Sequence, residues 1–385
     1  MWCVWLERSG IGKLRIGQPA RQAVALPGGQ WVRVGNVQAG LGEADLALAQ
    51  GDAHGTSAQA IPQPQRRYLG REVVGRVREV GADATLVRVG DRVTLTGETL
   101  STCATLNLQP ACKPCATGNP TLCEHRAVPW GGTGAGWADE MIVHESQLFL
   151  VPDVLSDDQA VLLEPTARAV RAVLRRLPEP GMQTLVIGGN LVGLLLAAAI
   201  KAMAPSAQVA LATDVATEVE AARQVGVNAV LPASTGQLSQ RGAMLTNAQT
   251  FERQGTTYVL GGFDLIYDCL GTSDSLAEAV RLTRSGGMVA IVAAPTRAVH
   301  LDPSLLQQDE VSIVGIAGAG IEPPPPDAKS NQGGRWSSLA VAARMLRKGQ
   351  IKTDTFITQR LPYQQFREAM RLARAGATRV VITFE

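Results

Sequence analysis

The chain has 385 residues, 45% of them hydrophobic and 18% charged, and a length beyond one compact core predicts two domains. With 36 Lys+Arg against 34 Asp+Glu the net charge is only +2, and no like-charged block or basic stripe occurs. That balance excludes a nucleic-acid groove or an anionic membrane surface as the main partner. No apolar run is long enough to span a membrane. The opening residues lack the pattern of an export signal, so a cytoplasmic location is expected. Three of the six Cys crowd into Cys112, Cys115 and Cys123, which without an export signal points to metal before disulfides. Four His leave a His-built catalytic site few members.

The first part of the chain is β-rich. The runs 31–35, 73–80 and 91–95 alternate or are β-branched between glycines, as short antiparallel strands do. Between Asp157 and Arg176 apolar residues recur at helical spacing (Ala160, Leu163, Ala167, Val170, Leu174), with Ser156 as the N-cap. Strands are then predicted at 184–188, 208–212, 229–231, 264–268, 287–292 and 311–315. Helices at 191–203, 217–225 and 275–283 separate several of them. Short apolar strands alternating with helices predict a doubly wound parallel sheet. The polar stretch between Pro232 and Phe263 is longer than such a connection needs and reads as a surface excursion. After the proline run 323–326 the tail is expected to hold a helix at 337–348, a strand near Phe356, a helix at 363–375 and a closing strand at 380–384.

The strongest chemical signal is the strand, turn and helix around Gly188, Gly189, Asn190, Leu191, Val192 and Gly193. A buried strand that enters a glycine turn and leaves as an apolar helix aims backbone N–H groups at a pyrophosphate. Asp214 ends the next strand, where a carboxylate would accept hydrogen bonds from ribose hydroxyls and repel a 2′-phosphate. No Lys or Arg follows before Arg223, which favours NAD over NADP. Asn190 stands where the usual pattern has a second glycine. Asn tolerates positive φ better than most residues, but its amide would crowd or reposition the phosphates.

Over nearly its whole length the chain resembles the medium-chain dehydrogenase/reductases of the zinc alcohol, polyol, threonine and glucose dehydrogenase type. The resemblance rests on the segments 70–75 and 89–93, the lobe 112–123, Leu163-Glu164-Pro165, the glycine turn, and 268–271. It implies a GroES-like β-rich catalytic domain at 1–156 and a Rossmann doubly wound parallel sheet at 157–321. The segment 322–385 would return to the catalytic domain. It further implies a homodimer or homotetramer, and a nicotinamide near Cys269, Ala293, Ala294 and Ala317.

Departures from the family pattern carry the functional reading. The catalytic zinc of these enzymes is normally held by a Cys where this chain has Gly42 and by a His where it has Arg71. Glu72 and Glu164 match the family's two carboxylate positions. A permanent guanidinium in place of an imidazole disfavours a dication, so no catalytic zinc is expected. Asp45, Arg71, Glu72 and Glu164 are the expected catalytic residues. Arg71 would hold a developing oxyanion and Asp45 or Glu164 would relay a proton. Alternatively the four form a structural ion-pair cluster in a site that has lost its activity. Cys112, Cys115 and Cys123 reproduce three ligands of the family's structural zinc. Gln109 occupies the fourth position, and Cys103 could supply the missing thiolate if residues 104–111 loop out. His54, His125, His144 and His300 read as surface or core, with His54 the one near the altered segment. Trp130 and Trp137 flank the glycine stretch 131–136, a turn whose Trp could wall the substrate site. The expected activity is NAD(P)-dependent hydride transfer to or from a small alcohol, carbonyl or conjugated acceptor. A silent dinucleotide-binding scaffold and a zinc dehydrogenase with replaced ligands are the alternatives.

Overall fold

The computed structural model describes residues 2–7, 13–17, 24–50, 66–97, 101–126, 133–234, 236–253, 256–293, 295, 298–301, 303–325, 336–376 and 379–384. The chain divides into two compact units. One comprises Met1–Ala167, Gly318–Ile321 and Trp336–Glu385, and the other Arg168–Ala317 and Glu322–Arg335.

The first unit is built on a seven-stranded sheet. Its path runs Gln359–Pro362, Val380–Thr383, Trp31–Gly40, Val73–Val80, Arg92–Leu95 and Leu148–Leu150, and Glu140–His144 also pairs with Trp31–Gly40. The last strand of the chain lies antiparallel to Trp31–Gly40, with Val381 opposite Gly40 and Ile382 opposite Ala39. Thus the tail completes the sheet that the amino-terminal strands begin. Val32, Val34, Ala39, Val73, Val77, Val93, Trp137, Phe366, Val380 and Ile382 form its buried core. Each large apolar side chain removed from water contributes about 1.5–3 kcal/mol. Trp137 is fully buried and its Nε1–H donates to the Gly40 carbonyl at 3.0 Å. It is therefore a core residue rather than a wall of an open site. The sequence alone leaves that undecided, because Trp suits both settings.

The second unit carries six parallel strands in the spatial order Ala229–Leu231, Gln208–Ala212, Gln183–Ile187, Phe263–Asp268, Thr283–Ile291, Ser312–Gly315. In chain order this is 3-2-1-4-5-6, so the direction of winding reverses between Gln183–Ile187 and Phe263–Asp268. A crevice opens there, outside the carboxyl ends of the strands, and ligands of such sheets bind in it. The strands are short apolar runs because helices cover both faces.

Several elements differ from their sequence expectation. The helical stretch after Ser156 is two helices, Asp157–Val161 and Leu163–Arg175. Ser156 does cap the first, its side chain accepting the Gln159 N–H at 3.2 Å. The excursion between Pro232 and Phe263 contains a helix, Gln237–Thr246, and a hairpin of Gln249–Arg253 with Thr256–Leu260. Phe356 lies in a short helix, Thr353–Phe356, and the strand follows at Gln359–Pro362. His54 and Trp130 lie outside the described residues. No helix among the described residues is long and apolar enough to cross a membrane.

Candidate active site and cofactor cradle

Asp45, Arg71, Glu72 and Glu164 meet in the first unit, interleaved with glycines. Gly40 and Gly42 end the central strand and open the helix Glu43–Gln50. A Cβ added at Gly42 would stand 2.7 Å from Glu72 Oε1, and one at Gly40 would stand 2.6 Å from Glu72 Oε2. The buried Glu72 carboxylate therefore occupies the room that side chains at 40 and 42 would need. It does not stand alone: Arg379 Nη2 donates to Glu72 Oε1 at 3.1 Å, and both side chains are buried. Arg379 Nη1 also donates to the Leu41 carbonyl.

Asp45 sits in the first turn of Glu43–Gln50, where a carboxylate suits the positive end of the helix. Its Oδ2 accepts the Arg71 backbone N–H at 3.3 Å and pairs with Arg71 Nε at 3.5 Å. Asp45, and then Glu164 and Glu72, hold the Arg71 guanidinium charged well above its ordinary range, overriding the opposing effect of burial. The nearby Arg67 moves the other way, lowered by burial and by the Arg71 charge although Asp45 opposes the shift. No partner among the described residues engages the terminal amino groups of Arg71, whose side chain is 26% exposed. Glu164 is 2% exposed and takes no hydrogen bond from a described residue. It lies against Gly97, where an added Cβ would come within 2.8 Å of Glu164 Oε1 and where φ is +87°. A glycine is demanded there twice over, by space and by backbone conformation.

In the lobe, Cys103, Cys112, Cys115 and Cys123 bring four sulfurs within 4.8 Å of one another. Cys103 joins the cluster from nine residues before Cys112. Cys103 Sγ and Cys112 Sγ lie 3.8 and 3.9 Å from Cys123 Sγ. Thiolates at about 2.3 Å from a tetrahedral zinc are about 3.8 Å apart, so these donors fit a closed structural site. Backbone N–H groups of Cys112 and His125 each point at a sulfur at 3.3 Å. The Cys112 thiol is drawn down to about 6, first by the Glu124 backbone N–H and next by that of Cys115. Burial pushes Cys115 and Cys123 up. Among the described residues this is the one group of three or more His, Cys, Asp or Glu placed to share a metal, and the carboxylate cluster is not such a group.

In the second unit the turn between Gln183–Ile187 and the helix Leu191–Met203 lies at the crevice. Gly188 has φ +104°, and a Cβ at Gly193 would overlap the Gly188 carbonyl oxygen. Asn190 does not use a left-handed conformation; it is the N-cap, with φ −61° and ψ 171°. Its Oδ1 accepts the Gly193 N–H at 3.0 Å and its Nδ2 donates to the Cys269 carbonyl at 2.9 Å. The side chain thus ties the turn to the end of Phe263–Asp268, across the reversal of the sheet. Leu191 and Val192 begin the helix and are buried. Cys269 is buried, with its N–H donating to the Ile187 carbonyl at 2.9 Å, which makes it a packing residue. Ala293 N–H reaches the Asp268 carbonyl at 3.2 Å, Ala317 is exposed, and Ala294 lies outside the described residues. Asp214 is exposed, and its Oδ1 accepts the Ala233 N–H at 3.2 Å. The donor-rich turn, the glycine packing and a thirteen-residue helix fit a dinucleotide pyrophosphate, with one donor already taken by Asn190.

Two family descriptions match the sequence: an alcohol dehydrogenase GroES-like domain over residues 28–153 and a zinc-binding dehydrogenase over residues 192–329. The chain belongs to the medium-chain dehydrogenase/reductase family. Its class is that of the NAD(P)-dependent dehydrogenases. It is 27% identical to (R,R)-butanediol dehydrogenase of Saccharomyces cerevisiae over 282 residues, 71% of this chain and 69% of the relative. It is also 27% identical to D-arabinitol dehydrogenase 1 of Uromyces fabae over 303 residues, 78% of this chain and 77% of the relative. Among solved structures the fold matches 2R,3R-butanediol dehydrogenase from Bacillus subtilis, with a TM-score of 0.73, 21% identity and 99% of each chain covered. It also matches the Escherichia coli CFT073 short chain alcohol dehydrogenase (rspB) complexed with NADH, with a TM-score of 0.76, 21% identity, and 100% of this chain and 99% of that one covered.

No sequence motif marks Arg379, Arg67 or Gly97. The available signal for Arg379 is a lone cation heading the apolar closing strand Val380–Thr383.

Proposed function

We propose that this medium-chain dehydrogenase/reductase transfers hydride between NAD(H) and a small alcohol, carbonyl or conjugated acceptor without a catalytic zinc. The observation that carries the reading is the placement of Glu72. Its carboxylate fills the space beside Gly42 and is neutralised by Arg379, while Arg71 takes Asp45. Two of the three carboxylates are thereby committed to cations, and the residues present do not fit a dication held among them.

When bound, the nicotinamide supplies or accepts the hydride. Arg71 donates N–H bonds from its terminal amino groups to the substrate oxygen, which gains negative charge as hydride arrives at carbon in the reducing direction. Glu164 relays a proton from solvent to that oxygen, and in the oxidising direction relays it back to solvent. Asp45 fixes the Arg71 fork from its Nε side. An enal, enone or iminium suits this arrangement better than a simple ketone, since conjugation reduces the electrophilic help required.

A silent dinucleotide-binding protein is the second reading, favoured by Asn190, which occupies the Gly193 N–H that a phosphate oxygen would accept. The test is zinc analysis together with a turnover screen of polyols, ketones and enals. Turnover in protein carrying no more than the lobe zinc, reduced about 100-fold by Arg71→Ala, supports the zinc-independent enzyme. A second zinc per chain, removed together with activity by a chelator, overturns it. NADH binding with no turnover on any class selects the silent protein.

A further inference from the structure

Resting on the reading that the chain binds a nicotinamide dinucleotide, we propose that Glu218, and not Asp214, grips the adenosine ribose and selects NAD(H) over NADP(H). A carboxylate about twenty residues past the glycine turn performs this task in dinucleotide folds by accepting from the ribose hydroxyls. Asp214 has the spacing but is directed elsewhere. It is exposed, and its Oδ1 accepts the N–H of Ala233, just past the edge strand Ala229–Leu231.

Glu218 has the position. It lies in the first turn of the helix Ala216–Val225, where a negative charge is favoured by the helix end. Its Oε2 accepts a hydrogen bond from Thr213 Oγ1, and the same hydroxyl accepts the Val215 N–H at 3.2 Å. Thr213 is therefore a positioning residue, buried just past the end of Gln208–Ala212. The result is a carboxylate seated over the glycine turn. A Cβ added at Gly189 would stand 2.5 Å from Glu218 Oε2 and 2.8 Å from its Cβ. Gly189 is thus required so that Glu218 can approach the turn. From there the carboxylate borders the start of Leu191–Met203, where a pyrophosphate would rest, and the adenosine ribose is the next group along the ligand. A neutral hydroxyl pair there gains charge-assisted hydrogen bonds, and a 2′-phosphate meets a like charge.

Fluorescence titration with NADH and with NADPH tests this on the wild type and on Glu218→Gln, Glu218→Asp and Asp214→Asn, with thermal melting to verify each fold. The wild type should bind NADH at least about tenfold tighter than NADPH. Glu218→Gln should weaken NADH about tenfold and narrow the preference, a change in ratio that a merely structural role would not produce. Glu218→Asp should keep the preference with weaker binding, and Asp214→Asn should leave both affinities within about twofold. The assignment is overturned if Asp214→Asn shifts the preference while Glu218→Gln does not. Equal affinity of the wild type for both dinucleotides also overturns it. Failure of the wild type to bind either one overturns the cofactor reading and this assignment together, an outcome distinct from the other two.

Discussion

In the lobe, four thiols converge within 4.8 Å of one another. At Asp45, Glu72 and Glu164, three carboxylates converge with Arg71 and Arg379 set between them. Both regions sit in the first unit. In the lobe Cys103 joins Cys112, Cys115 and Cys123, so four like donors face one another. In the carboxylate cluster Arg71 pairs with Asp45 and Arg379 with Glu72. Donor count alone does not make a metal site. What decides is whether the surrounding charge leaves the donors uncompensated.

The sharpest way to break that contrast is to attack the lobe. Zinc held by four thiolates is worth about 10–16 kcal/mol in small finger peptides, so the largest expected effect is here. Purified protein should carry one zinc, and Cys103→Ser should lose it to a mild chelator that leaves the wild type loaded. Zinc retained equally by the variant would mean that Cys103 is not a ligand. The next effect concerns Glu72. Arg379→Ala removes a buried cation from the Glu72 carboxylate, which costs about 3–5 kcal/mol. Urea unfolding should report that loss directly. A stability change below about 1 kcal/mol would show that Glu72 finds other compensation, and the cluster would then be open to a cation after all.

The sheet of the second unit was legible because parallel strands buried on both faces are continuous apolar runs, and each predicted strand has its counterpart. The stretch 232–263 was not. Its helix buries only Leu238, Ser239, Gly242 and Ala243, too sparse a face to show helical period. Its hairpin is marked by the Phe251–Tyr258 stack, with ring centroids 5.4 Å apart, a pairing invisible before the register is known. In the carboxylate cluster, local motifs revealed Asp45, Arg71, Glu72 and Glu164. Arg379 escaped because its partner lies 307 residues away, and only the return of the closing strand brings the two together. Asn190 departs from the usual glycine pattern in sequence, but its role as an N-cap depends on a side-chain direction that spacing does not encode.

The glycine turn offers the next test, of intermediate size. Asn190→Ala removes the cap on the Gly193 N–H, which should lower stability by about 1 kcal/mol in urea unfolding. Asn190→Gly should cost only a few tenths, because glycine is itself tolerated at an N-cap. If the Asn190 amide competes with phosphate oxygens, Asn190→Gly should also tighten NADH binding in a fluorescence titration. Unchanged or weaker binding would mean that the cap organises the cradle instead of crowding it.

The smallest effect compares two arginines of the tail. Arg379 pairs in the interior, whereas Arg360 Nη2 meets Asp158 Oδ2 at 2.5 Å with both side chains partly exposed. Burial tends to raise the Asp158 carboxyl, but hydrogen bonds from Arg360 and Gln38 outweigh it and hold the group below its ordinary value. A depressed carboxylate contributes stability that is present above its unfolded-state value of 3.8 and fades as pH falls through the lower folded-state value. Solvent screening limits that contribution to less than about 1 kcal/mol. Arg360→Ala should therefore lower stability slightly at neutral pH and leave it unchanged once Asp158 is protonated in both states. Thermal melts of wild type and variant should converge as the pH drops below the lowered folded-state value of Asp158. Melting curves that stay parallel down to that pH would place the Arg360 contribution in packing of its aliphatic stem and not in the ion pair.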